Sequence, residues 1–168
     1  MLAAIRITVT LLKLRIGSAV AASALAGIAA ANGSAPAWWQ SIGLVLAVLG
    51  ASGAAGAFNH YHERDLDRLM RRTRSRPFAS GAFRESLWWP AGFIVLLAAS
   101  LALAVACGGT LSAAFVFLGA FTYGIVYTVW LKRRSVWNIV IGGLAGSFAV
   151  LAGAAAVLRR RGGEAQQW

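Results

Sequence analysis

The sequence predicts an all-α, membrane-embedded bundle of about five spanning helices. Three observations predict it. Of the 168 residues, 59% are hydrophobic and 12% charged, with a mean hydropathy of +0.68, far from the composition of an ordinary soluble domain. Between Arg15 and Glu63 there is no Asp, Glu, Lys or Arg, a stretch long enough for two spans of roughly 20 apolar residues each. The charges that remain are gathered into a few connectors that alternate with uncharged ones. A net charge of +11 raises nucleic acid as a partner, yet the basic residues punctuate apolar runs and form no patch with interleaved aromatics, so no nucleic-acid interface is expected. The single Cys107 supports neither a disulfide framework nor a cysteine metal site.

A membrane domain is expected over residues 1–158, with spans near 12–31, 38–58, 88–107, 110–131 and 137–158, a motif loop over 59–87 and a basic tail over 159–168. Each span is close to the required length. Trp38, Trp39, Trp88, Trp89, Trp130 and Trp137 fall at span ends, where indole rings favour the interface. "GASGAAGA" in the second span and Gly142, Gly146 and Gly153 in the fifth let helices approach closely, as membrane helix pairs require. Arg6, Lys13 and Arg15 precede the first span, seven arginines lie between the second and third, and Lys132, Arg133 and Arg134 separate the fourth from the fifth. The other connectors, "NGSAPA" and "CGG", are uncharged. The excess of Lys and Arg therefore assigns the N-terminus, the motif loop and the Lys132 connector to the cytoplasm, in a cell membrane such as the bacterial inner membrane.

Two features break this order. Five spans from a cytoplasmic start place Arg159, Arg160 and Arg161 outside, where they are disfavoured, so either the fifth segment does not cross or the tail is foreign to the membrane part. The basic start and the small residues near "AAANGSA" also have the outline of a secretory signal. A long apolar stretch followed by further membrane segments argues against it.

The chemistry lies in "FNHYHERDLDRLMRRTRSRP", residues 58–77. On a helix Asn59, Glu63 and Asp67 are spaced i, i+4, i+8 and share a face, while Asp65 points away. Like charges at i, i+4 destabilise a bare helix by some tenths of a kcal/mol, more beside a bilayer, and a divalent cation reverses the sign. Mg2+ favours carboxylate and amide oxygens and keeps positions for the oxygens of a phosphate-bearing substrate. Guanidinium groups bind phosphate oxygens in bidentate fashion. Carboxylates for a metal and arginines for phosphate, beside spans that can hold a lipid tail, point to an isoprenoid diphosphate. A solvated loop stays open as the plainer reading, with Asp65 to Arg68 and Asp67 to Arg71 at helical pairing offsets. A metal site on His60 and His62, at i, i+2 and without other histidines, has little to support it.

"NHYHERDLDRLMRRTRSRP" resembles the first aspartate-rich motif of the UbiA superfamily of intramembrane prenyltransferases, N-D-x-x-D-x-x-x-D followed by R-T-x-x-R-P. It is most similar to the branch that transfers a farnesyl group to heme, where N-x-Y-I-D-R-D-I-D is common. "YTVWLKRRSVWNIVIGG", residues 127–143, resembles the same branch's Y-T-x-x-L-K-R-x-x-x-x-N-I-V-I-G-G segment, and "LLKLRIGS" its first-helix opening, with Leu14 where proline is usual. The resemblance runs over about residues 11–156.

The resemblance implies a fold of about nine transmembrane helices around a central cavity, of which this chain resembles the N-terminal half. It implies that Asn59, Glu63 and Asp67 hold Mg2+ and are the catalytic core, and that Arg72, Arg76 and Lys132 bind the diphosphate. The implied reaction ionises farnesyl diphosphate to an allylic cation, which a vinyl group of heme B captures on the way to heme O. Tyr123 and Tyr127, one turn apart, can face such a cation through their rings or simply pack. Aromatic acceptors such as 4-hydroxybenzoate are the alternative within the superfamily, and a non-catalytic membrane fragment the alternative outside it.

Departures from the pattern matter equally. His60 stands at an Asp position of the general motif, and Glu63 replaces the usual Asp, lengthening its reach by about 1.5 Å, one C–C bond. The family carries a second aspartate-rich motif in later helices, whereas after Glu85 the only acidic residue here is Glu164. The expectation is a truncated or frameshifted homologue, completed either by a missing C-terminal half or by a second copy of the chain.

Overall fold

The computed structural model describes residues 11–132 and 134–165, with side chains through Arg159. Arg6, Arg133, the side chains of Arg160 and Arg161 and the end of the basic tail lie outside the described residues.

Every regular element among the described residues is a helix. α1 covers Leu14–Ala30, α2 Trp38–His62, the short α3 Arg64–Leu69, α4 Trp88–Gly108 and α5 Thr110–Phe121. A π-helical segment, Thr122–Leu131, continues α5, and α6 covers Asn138–Ala165. Four helical stretches are long and apolar enough to cross a membrane: Trp38–His62, Trp88–Gly108, Thr110–Leu131 and Asn138–Arg159. α1, at 17 residues, sits at the short end of the spanning range. Neighbours in space close a ring, with α1 between α2 and α6, α2 on α4, α4 on α5, and α5 on α6.

Packing follows the rules of lipid rather than water. The shared core is built of small side chains, among them Ala21, Ala24, Ala47, Ala51, Ala104 and Ala152, while large apolar ones such as Leu46, Ile94, Val95 and Ile139 face outward. Where lipid tails are as apolar as leucine, helices gain by close backbone approach instead of by burying bulk. α1 and α6 show this most sharply. A Cβ on Gly27 would collide with the carbonyl of Val150, and one on Gly153 with the carbonyl of Ala24. Trp38, Trp39, Trp88, Trp130 and Trp137 are exposed at helix ends.

The expected boundaries shift at three places, two near the motif and one at the far end of the bundle. α2 runs on to His62 instead of ending at residue 58, so Asn59 stands in its last turn. The segment expected as one helix over 110–131 changes from α to π at Thr122. The fifth helix continues beyond residue 158 into the basic tail. At that far end Gly109 turns the chain from α4 into α5 with φ +91, and Arg159 reaches the Ala106 carbonyl at 3.5 Å, placing positive charge on the exposed C-terminal carbonyls of α4.

After α3 the motif loop is clasped to the bundle by aromatic rings. Phe78, fully buried, meets Tyr61 at 5.3 Å, Trp89 at 5.2 Å and Phe83 at 5.5 Å between centroids. The loop's exit is held by Glu85, which pairs with Arg64 at 3.0 Å and Arg68 at 3.3 Å. The hydrogen bond from Arg64 keeps the exposed Glu85 carboxyl below the ordinary carboxylate range.

Candidate active site

Asn59, Glu63 and Asp67 are 1%, 2% and 4% exposed, so two carboxylates and an amide are withdrawn from water at one end of the bundle. The i, i+4, i+8 register survives a break in the helix. α2 stops at Glu63, whose backbone turns to φ −94 and ψ 4, yet Glu63 N–H donates to the Asn59 carbonyl at 3.0 Å and Asp67 N–H to the Glu63 carbonyl at 2.9 Å. Asp65, with its side chain 71% exposed, faces the other way and lies 3.6 Å from Arg68.

Burying ionised carboxylates is tolerable only where each is paired. Lys132 donates to Glu63 Oε2 at 2.5 Å and Arg76 to Asp67 Oδ2 at 2.7 Å. Asp67 therefore pairs with Arg76 and not with Arg71, the partner that helical spacing offered. The "RP" step explains the reach, because Phe78, after the buried Pro77, anchors in the aromatic cluster and brings Arg76 back over Asp67, with Thr73 Oγ1 donating to the Asp67 carbonyl at 3.3 Å. Arg72 is exposed and has no side-chain partner among the described residues.

Asn59 is the centre of the network. Its Oδ1 accepts from Lys13 Nζ at 2.6 Å, and its Nδ2 donates to Glu63 Oε2 and to Thr128 Oγ1, both at 3.1 Å. An ammonium has no acceptor, which fixes the orientation of the amide. Lys13 Nζ also donates to Tyr123 Oη at 2.8 Å. Thr128, fully buried, passes its own proton to the Tyr123 carbonyl at 2.8 Å, an i to i−5 bond that the π segment makes possible. That segment presents Tyr123, Thr128 and Lys132 to the motif together, the kind of local distortion that gathers at functional sites. Tyr123 and Tyr127 stack at 5.4 Å, with Lys13 5.4 Å from the first ring and Lys132 5.7 Å from the second.

Lys13 and Thr128 are the participants that sequence reasoning missed. Lys13 reads as one more basic residue ahead of a span, a topology signal. Its place in the site comes from a left-handed backbone, φ 48 and ψ 42, adopted by no other non-glycine among the described residues and unfavourable by about 1–2 kcal/mol for an L-residue. A lysine inside the apolar "LLKLR" is the signal that points to it. Thr128 stands at the Thr of the Y-T-x-x-L-K-R segment, but nothing local ties it to Asn59, 69 residues away.

From Lys13 and Tyr123 an apolar cavity of about 280 Å³ extends between α1, α2, α5 and α6, lined by Val20, Ala51, Val116, Gly119 and Gly146 among others. A charged head group at the motif and an apolar tail in this cavity can thus be accommodated by one ligand. The donor set of two carboxylates and an amide oxygen is hard and suits a divalent ion of the Mg2+ or Ca2+ type, leaving further positions to a ligand's oxygens. Histidine does not build a competing site. His60 is buried with Nδ1 unpartnered, His62 stacks on Phe58, and no three His, Cys, Asp or Glu converge among the described residues.

Four helices long and apolar enough to cross a membrane define an integral membrane protein, with an oxygen-rich, cation-rimmed cluster at one end of the bundle. The chain belongs to the UbiA prenyltransferase family, whose model matches residues 20–163. It is similar to protoheme IX farnesyltransferase 2 of Paramagnetospirillum magneticum, 55% identical over 155 residues, covering 92% of this chain and 54% of that protein. Protoheme IX farnesyltransferase 1 of the same organism is 54% identical over 114 residues, 68% of this chain and 40% of that one. The protoheme IX farnesyltransferase of Hyphomonas neptunium is 40% identical over 152 residues, 89% and 48%. The chain thus spans about half the length of the curated relatives it matches. No solved structure matches it.

Proposed function

We propose that this chain supplies the diphosphate-binding half of a Mg2+-dependent farnesyltransferase that acts on heme B to give heme O. The observation that carries the reading is the buried Asn59, Glu63 and Asp67 set, paired with Lys13, Lys132 and Arg76 and joined through Lys13 and Tyr123 to the apolar cavity that those two residues line. Farnesyl diphosphate has the matching shape, an anionic head on an isoprenoid tail. Heme as acceptor is supported by the similarity to protoheme IX farnesyltransferases, not by any residue described above.

Asn59, Glu63 and Asp67 would hold the ion, which when bound supplies positive charge to the diphosphate oxygens as the allylic C–O bond breaks. Lys132 and Arg76 would neutralise the leaving group, an electrostatic demand best met by charges already in position. The exposed Arg72 would join only by moving inward. The apolar cavity would keep water from the allylic cation, and the faces of Tyr123 and Tyr127 would stabilise it. Lys13, Lys132 and Arg76, one from each of the three basic connectors, meet at the motif end of the bundle, which supports a cytoplasmic site in the bacterial inner membrane.

The reading is tested by binding of radiolabelled farnesyl diphosphate to the purified chain in nanodiscs. Binding should require Mg2+ and disappear with chelator; binding indifferent to chelator would remove the metal from the account.

A further inference from the structure

Three of the five side-chain oxygens that the site would offer to a divalent ion, the single one of Asn59 and one from each carboxylate, are capped by cations of the chain itself. Asn59 Oδ1 is held by Lys13 at 2.6 Å, Glu63 Oε2 by Lys132 at 2.5 Å and Asp67 Oδ2 by Arg76 at 2.7 Å. The three cations come from three separate segments: the lead-in to α1, the end of the π segment and the motif loop. An ammonium and a divalent ion repel on a shared oxygen, and the lone pair that accepts from Lys13 cannot also ligate a metal along the same direction. The cations thus satisfy the buried oxygens and at the same time compete with metal for them.

We propose that Lys13 is a counter-ion that couples metal binding to diphosphate binding, leaving Asn59 for the diphosphate when the two ligands arrive together. The proposal rests on the metal and diphosphate reading above and goes beyond it by giving Lys13 a role. The geometry singles out Lys13 from the other two cations. Its left-handed backbone points a four-carbon arm at Asn59 and Tyr123 from the lip of the cavity. An ammonium has three donors, of which two are used here, so a phosphate oxygen can be accepted before Asn59 is released. With a diphosphate present, the ammonium trades an amide oxygen for an anionic one and the metal gains its amide ligand. Without it, metal entry would strand Lys13 beside a like charge. The site accordingly favours metal and diphosphate as a pair.

Equilibrium dialysis of Mn2+ against the chain in phosphatidylcholine nanodiscs, with and without inorganic pyrophosphate and with empty discs as blank, tests this directly. The wild-type chain is expected to retain Mn2+ at least about tenfold more tightly with pyrophosphate, a modest fraction of the like-charge repulsion at about 4 Å and an effective dielectric near 20. In Lys13→Met the affinity for Mn2+ alone should rise by about tenfold and the gain from pyrophosphate should fall below about threefold. Lys13→Gln, which keeps a donor toward Asn59 and Tyr123 but not the charge, should behave in the same way and serves if the methionine variant loses helicity by circular dichroism. Wild-type affinities equal with and without pyrophosphate, or coupling unchanged in both folded variants, would overturn the role of Lys13 while leaving the metal and diphosphate site standing. No Mn2+ retained by any folded variant under either condition would remove the site and the proposal together.

Discussion

Lys132 and Glu63, 69 residues apart in sequence, meet at 2.5 Å and tie the end of the fourth apolar segment to the end of the second. Glu63 is almost fully buried, and Lys132 retains 35% side-chain exposure. Removing one partner from a buried pair costs about 3–5 kcal/mol, and the part-exposed lysine lowers that here to about 1–3 kcal/mol. A double-mutant cycle of Glu63→Gln and Lys132→Met, read from denaturant unfolding by tryptophan fluorescence, should return a coupling of about 1–3 kcal/mol. A coupling near zero would mean that solvent screens the pair.

The crossing of α1 and α6 leaves no room for side chains at Gly27 and Gly153, where a Cβ would strike backbone carbonyls. Gly27→Leu and Gly153→Leu should each destabilise the chain by at least about 2–3 kcal/mol. Gly92→Ala, in open space on α4, should be neutral or stabilising by up to about 1 kcal/mol through helix propensity. Equal unfolding midpoints for all three variants would contradict the close crossing.

Side of the membrane is read from charge alone and is open to direct chemistry. In a Cys107→Ala background, Ser75→Cys, exposed on the motif loop, should resist membrane-impermeant maleimide in intact cells and react after lysis. Modification from outside would invert the topology.

What the sequence made visible is whatever repeats locally. Apolar runs of spanning length and tryptophans at their ends mark the helices, and the four-residue spacing of Asn59, Glu63 and Asp67 puts them on one side even though the helix breaks at Glu63, because the backbone bonds across the break keep the register. What stayed hidden depends on distance. Arg76 and not Arg71 reaches Asp67 because Phe78 is pinned by Tyr61 and Trp89, a contact with no local pattern. Thr128 faces Asn59 only because the helix widens to π spacing after Phe121, and nothing in the composition of "TYGIVYTVWL" distinguishes it from an ordinary helix. Lys13 carried two meanings, topology and site, and the left-handed turn that decides between them is not written in its neighbours.

Turnover by this chain alone is not expected. An enzyme that ionises an allylic diphosphate places charge around the whole leaving group, and loss of one such element typically lowers the rate by about 10²–10³. Beyond the motif the sequence holds only Glu85 and Glu164 as acidic residues, and Glu85 is engaged with Arg64 and Arg68. Incubation with heme B, farnesyl diphosphate and Mg2+, followed by chromatography, should yield no heme O. Mg2+-dependent product that vanishes in Asp67→Asn would show that these helices, alone or as a dimer, suffice.

The central claim is that buried Asp67 holds a metal-bound diphosphate while exposed Asp65 does not. The most direct measurement is Mg2+-dependent binding of farnesyl diphosphate to wild type, Asp67→Asn and Asp65→Asn in nanodiscs, each checked for native helicity. Asp67→Asn should lose at least about 10²-fold in affinity, the scale of a charge-assisted contact of about 3 kcal/mol, and Asp65→Asn should stay within about threefold of wild type, as for an exposed ion pair. Equal losses in the two variants, or none in either, would contradict the account.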